Sequence, residues 1–117
     1  VTYEGTTYLF GKNAVQPRYL TFFLTRSKKH LWLHIEGDTG SHLLIQKDDP
    51  TSEEINLACE MVVALSNKED GAVQIAERGD IRQGNQLGQV ILKNYRVQRV
   101  SNISDLARKL IETATKY

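Results

Sequence analysis

His30-Leu31-Trp32-Leu33-His34-Ile35, then Gly37-Asp38-Thr39-Gly40, then Ser41-His42-Leu43-Leu44-Ile45-Gln46: this run decides how the chain is read. In its first part a period of two puts Leu31, Leu33 and Ile35 on one face of a strand and His30, Trp32 and His34 on the other. Two glycines within four residues then break the strand. Alternation resumes with Leu43 and Ile45 on one side and His42 and Leu44 on the other. Two strands flanking one glycine-rich connection are predicted, with the apolar face toward the core.

Upstream, Thr6 to Phe10 alternates as an opening strand closed by Gly11, and Gly11-Lys12-Asn13 is a turn. Pro17 suits the first turn of a helix, and Tyr19, Leu20, Phe23 and Leu24 follow at helical spacing. A basic loop, Arg26 to Lys29, leads from that helix into the first strand quoted above. Downstream, Thr51-Ser52-Glu53-Glu54 has the form of a capping box, and Ile55, Ala58, Met61, Val62 and Leu65 make a helical stripe ending near Ser66. Ala72 to Glu77 is a short strand and Arg78 to Leu87 a polar, glycine-punctuated loop. Gln89 to Leu92 and Tyr95 to Val100 are expected as two strands joined at Lys93-Asn94. Ser104-Asp105 caps a last helix with the stripe Leu106, Ala107, Leu110, Ile111 and Ala114. With no repeated βαβ period, these elements predict an α+β fold: a mainly antiparallel sheet with a short N-terminal helix, a central amphipathic helix and a C-terminal helix.

A length of 117 residues fits a single domain over 1–117. With 40% hydrophobic and 25% charged residues, collagenous, disordered and low-complexity classes are excluded. The longest apolar stretches, such as Met61 to Leu65, are far short of the roughly 20 residues of a membrane helix. Cys59 is the single cysteine, so an internal disulfide and a CxxC pair are excluded, in keeping with a reducing, cytoplasmic setting. The chain starts at Val1 with neither initiator methionine nor signal segment and reads as a fragment of a larger protein.

The net charge of +1 hides a pattern. Residues 1–46 hold five basic and three acidic side chains, residues 47–70 two and seven, and residues 71–117 eight and four. An acidic segment therefore separates two basic ones, which places an acidic and a basic face on the folded domain unless the charges scatter all round.

Three histidines, His30, His34 and His42, invite a metal reading. In a strand, however, His30 and His34 lie about 13 Å apart, too far to share an ion. A site from His34 and His42 would need further ligands, for which Asp38 is the nearby candidate, and hydrogen-bonded structural histidines are the plainer account. Ser41 and His42 point to opposite faces and cannot form a nucleophile and base pair, while Cys59 sits beside a core stripe. Arg78-Gly79-Asp80 spells the integrin-recognition tripeptide, but a glycine beside two charges is ordinary loop chemistry. The glycine turns lack the spacing and following helix of a nucleotide-binding loop. They offer backbone amides beside Lys12, His34 and His42, suited to a nucleic-acid phosphate, and Trp32 either stacks a base or fills the core.

Taken in order, Gly11-Lys12-Asn13, Tyr19-Leu20-Thr21-Phe22, Leu31-Trp32-Leu33-His34 and Gly40-Ser41-His42 resemble the motif series of the NFACT-R domain, and the likeness runs from about Thr6 to Val100. His30 stands where that family has an acidic residue, Thr39 where it has proline, and the loop Arg78 to Leu87 has two arginines and no proline. The resemblance implies an RNA-binding module of the NFACT, or RqcH and NEMF, family. Those proteins bind stalled large ribosomal subunits and recruit tRNA for template-free tailing; bacterial members were also described as fibronectin-binding surface proteins. It further implies a domain that is not itself an enzyme, needs no metal or cofactor, and works beside other domains of its parent chain. Lys12, Asn13, Arg18, Arg26, Lys28, Lys29, Trp32, His34, Ser41 and His42 are the expected RNA-contacting residues. A protein-interaction module, docking on a ribosomal protein or acting as a fibronectin-binding adhesin at the cell surface, is the alternative.

Overall fold

The computed structural model describes residues 1–11, 27–37, 41–83 and 90–114. The chain enters through β1 (Thr2–Tyr3) and turns into β2 (Thr6–Gly11) at Glu4 and Gly5. Both turn residues have positive φ, 50° and 83°, as the two-residue hairpin loop that matches strand twist requires. The Val1 amino group donates to the Tyr8 carbonyl at 2.8 Å, and the Tyr8 N–H donates to the Val1 carbonyl at 2.7 Å. β3 (Leu31–Ile35) and β4 (His42–Ile45) follow, paired antiparallel with Leu33 opposite Leu43 and His34 opposite His42.

α1 (Ser52–Leu65) begins at the expected capping box: the Glu54 N–H donates to Thr51 Oγ1 at 3.1 Å, and the Thr51 N–H to Glu54 Oε1 at 2.8 Å. It ends in a Schellman arrangement, with the Asn67 N–H on the Ala64 carbonyl at 3.0 Å and the Lys68 N–H on the Val63 carbonyl at 3.2 Å. Asn67 has φ 59°, the left-handed conformation this closure demands. β5 (Gly71–Glu77) then pairs with β3, a 3₁₀ turn spans Arg78–Asp80, and β6 (Ile81–Gln83), β7 (Val90–Leu92), β8 (Arg96–Val100) and α2 (Asp105–Ala114) complete the described elements.

Six strands form one antiparallel sheet in the order β1-β2-β4-β3-β5-β8, and β6 and β7 form a separate ribbon. One face of the sheet packs on α1 and α2. Tyr8, Leu33, Ile35, Leu43, Ile45, Val73 and Ile75 meet Ala58, Cys59, Met61, Val62, Ala107 and Ile111 there in the main core. The other face carries a smaller core of Trp32, Leu44, Ala76 and Ile81, flanked by Leu9 and Leu92. β4 is covered on both sides, which is why all four of its residues are buried.

The α+β architecture with an antiparallel sheet, a central helix and a C-terminal helix is as expected. The helix expected from Pro17 lies outside the described residues, and the described N-terminus is strand. The late hairpin is different: β7 pairs with β6, with Ile81 opposite Leu92, and β8 pairs with β5, with Val100 opposite Gly71. The physical reason is burial on two different faces. Ile81 and Leu92 close over Trp32, whereas Val100 joins the main core beneath the helices. Lys93-Asn94 is thus a crossing between two sheets, pinned by the Lys93 N–H on the Asp80 carbonyl at 2.8 Å and Asn94 Nδ2 on Asp80 Oδ1 at 3.4 Å. Nor is the segment after Arg78 wholly polar loop, since Ile81 is 1% exposed.

Candidate functional site

On the face away from the helices, the strand register lines up His42 on β4, His34 on β3, Gln74 on β5 and Val97 on β8, each opposite the next. Gly11 on β2 stands opposite His42 at the other end of this row. Trp32, two residues before His34 on the same face, stacks on it with ring centroids 5.3 Å apart and planes 3° from parallel. The indole is 1% exposed and packed within the second core; His34 is half-buried; His42 is fully buried and Ser41 nearly so. The row therefore runs from a buried histidine outward through His34 and Gln74 to the exposed edge strand, where Arg99, opposite Ala72, shares the face with Val97.

A second feature forms at the end of the sheet where β3 begins and β5 ends. Because Leu31 pairs with Glu77, the residues just outside that pair are brought together: the Arg78 N–H donates to the His30 carbonyl at 2.8 Å and the Gly79 N–H to the Lys28 carbonyl at 2.9 Å. A Cβ on Gly79 would come within 3.3 Å of Lys28 Cβ, so the two turns approach closely enough that a side chain there would make one of them give by a few tenths of an ångström. Burial, and after it the charge of Arg82, lowers the Arg78 pKa, so the two guanidinium groups share one electrostatic environment. Lys28, Lys29 and Arg82 are exposed beside it. The first and third basic segments thus meet here. The integrin-like tripeptide is a half-buried 3₁₀ turn whose Asp80 side chain accepts from Asn94.

The helix-bearing side is acidic. Glu54 accepts from the Thr51 N–H, from Thr6 Oγ1 and from Lys47 Nζ at 2.9 Å, and these bonds, the backbone one foremost, hold its carboxyl down at about 2. Tyr8 is pushed up to about 12 by burial and then by the negative charge of Glu54. Burial likewise pushes the Cys59 thiol up to about 12, against the weaker pull of Arg96, which leaves it a core side chain and no nucleophile. His30 faces Asp48, Nε2 to Oδ1 3.4 Å, and not His34. Among the described residues no three His, Cys, Asp or Glu side chains are grouped to hold a metal ion, and no helix is long and apolar enough to cross a membrane.

Of the residues singled out in the sequence, Lys12, Asn13, Arg18 and Arg26 lie outside the described residues, as does Asp38. Lys28 and Lys29 sit at the basic turn, Trp32, His34 and His42 sit along the histidine row, and Ser41 is buried just before β4. Arg78 and Arg82, noted only in the tripeptide and as the two arginines of their loop, and Gln74 and Arg99 were not among the expected RNA-contacting residues. The β3 to β5 register that places Arg78 beside Lys28 joins residues almost fifty positions apart, and no local pattern carries that information. The alternation in Ala72 to Glu77 does carry the signal for Gln74.

No protein-family model matches the chain. Over 74 residues it is 34% identical to the Rqc2 homolog RqcH of Bacillus subtilis strain 168, a match that covers 61% of this chain and 13% of that protein. Its fold matches the structure of the C-terminal part of the fibronectin/fibrinogen-binding protein from Streptococcus suis, with a TM-score of 0.79 and 26% identity, covering 94% of this chain and 47% of that one. The chain thus spans less than half of either protein compared. Agreement of fold and sequence makes the chain a distant homologue of RqcH and of the C-terminal region of the streptococcal fibronectin/fibrinogen-binding protein.

Proposed function

We propose that this chain is an NFACT-R-like, RNA-binding module of a larger, cytoplasmic, ribosome-associated quality-control protein. In this reading it contacts tRNA or large-subunit rRNA while stalled nascent chains are tailed, and it has no catalytic role and no cofactor. The observation that supports the reading best is the meeting of Lys28, Lys29, Arg78 and Arg82 at one end of the sheet, while the carboxylates of α1 lie on the opposite face. A cluster of cations on a rigid turn suits phosphates of structured RNA, where shape and backbone are recognised and sequence is not. Lys12, Asn13, Arg18 and Arg26 are further RNA contacts in this proposal, and His34 adds a hydrogen-bonding edge. Trp32 and His42 act from beneath, Trp32 fixing the plane of the His34 ring by stacking, and buried Ser41 supports the start of β4. In a shift assay at low ionic strength, tRNA or large-subunit rRNA is retarded by the chain, and the double reversal Lys28→Glu/Arg82→Glu weakens retardation at least tenfold. Equal retardation by the double variant would end this reading.

A second reading, a protein-docking module, is favoured by one observation: Ile91, Tyr95 and Val97 are large apolar side chains 50 to 53% exposed. It predicts that Val97→Asp abolishes capture of a protein partner, with immobilised fibronectin as the first to try, and leaves RNA retardation intact.

A further inference from the structure

On the helix side of the sheet, the turn between β1 and β2, the first half of α1 and the start of α2 enclose a groove of about 680 Å³. That volume lies within the range of roughly 300 to 1,000 Å³ usual for ligand sites. Its walls are amphipathic: Tyr3 and Tyr8 from the hairpin, Leu57 from α1 and Leu106 from α2. Around them stand four carboxylates, Glu4, Glu53, Glu54 and Glu60, against a single ammonium, Lys47. Lys47 is already engaged by Glu54, and Glu60 accepts from the Ser104 N–H. Glu4 and Glu53 are exposed at the rim.

We infer that this groove docks a short basic segment of a protein partner, seating a lysine or arginine side chain against the half-buried Tyr3 ring with an apolar neighbour on Leu57 and Leu106. Charge complementarity selects the occupant: fixed negative charge at the rim repels nucleic acid and acidic peptides and attracts cations. The Tyr3 face adds a cation–π contribution that a bare acidic surface lacks, while Tyr8 lies buried beneath it. The Tyr8 hydroxyl reports that field, being held protonated by burial and by Glu54 and Glu4. None of Lys28, Lys29, Arg78 and Arg82 lines the groove, so a protein segment and an RNA use different residues. Docking in the groove does not depend on RNA being bound at the turn.

The test is a titration of the full chain with a fluorescein-labelled hexapeptide alternating lysine and leucine, alongside one alternating glutamate and leucine, with amide shifts mapped by NMR. The lysine peptide is expected to bind with shifts centred on Tyr3, Leu57 and Leu106. Glu4→Gln/Glu53→Gln weakens it at least fivefold, and Glu69→Gln/Asp70→Asn, beyond the far end of α1, leaves it unchanged. No binding, shifts spread over the surface, equal weakening by the two double variants, or equal binding of the glutamate peptide would each overturn the proposal. So would equal affinity for arginine amide alone, which would make the occupant a small cation. Unchanged melting temperatures of the variants confirm that the fold is intact.

Discussion

His34 and His42 face each other across two strands, yet their surroundings assign them different work. His42 has no exposed surface and His34 is half-buried against the Trp32 ring. Removing a fully buried ring leaves a cavity, so His42→Ala lowers stability by about 2 to 4 kcal/mol in a denaturant titration. His34→Ala costs less in stability and more in RNA retardation; the reverse order would make His34 purely structural. Cys59 is equally specific: buried, with its thiol pushed up to about 12, it resists a maleimide at pH 7 in the native chain and reacts once guanidinium unfolds it. Rapid native labelling would contradict the packing of α1 on the sheet. Glu54 sets the acid limit. Its carboxyl falls from an ordinary 4.5 to about 2 on folding, so the folded state binds fewer protons there than the unfolded chain. The resulting stability is complete above about pH 4.5 and is lost as pH falls toward 2. Glu54→Gln flattens the melting temperature across that window, and a wild-type profile no steeper than the variant's would refute the assignment.

At the scale of elements, the end of α1 gives a clean test. Asn67 closes the Schellman arrangement at φ 59°, where glycine is relieved of the side-chain penalty and a β-branched residue is strained. Asn67→Gly raises stability by about 0.5 kcal/mol and Asn67→Val lowers it by about 1 kcal/mol or more in thermal melts. What the sequence made legible follows the same logic of local chemistry. The capping box at Thr51 and Glu54, the stripe of α1 and the alternation of β3 and β4 are short-range patterns, and all appear in the structure. The pairing of β8 is not legible in this way, because two short apolar strands with a polar dipeptide between them look like a hairpin. Which face each strand buries is decided by Trp32 and the helices, far off in sequence. The basic turn is hidden for the same reason: it is made by the β3 to β5 register and by Gly79 closing on Lys28.

For the molecule as a whole, a net charge of +1 resolves into two sides. The helix side carries the carboxylates and the groove, the other face the histidine row, and the basic turn stands at the end of the sheet where β3 begins and β5 ends. In the proposed RNA-binding reading, that division lets a nearly neutral domain hold RNA and limits how tightly it does so, because only a few cations converge. The measurement that tests this most directly is the salt dependence of tRNA affinity for the chain and for Lys28→Glu/Arg82→Glu, followed by fluorescence anisotropy. The account predicts a log–log slope that is clearly negative for the wild type and shallower by about one for each phosphate that the variant leaves unneutralised. A wild-type affinity that does not respond to salt, or a slope identical in the two proteins, would contradict it.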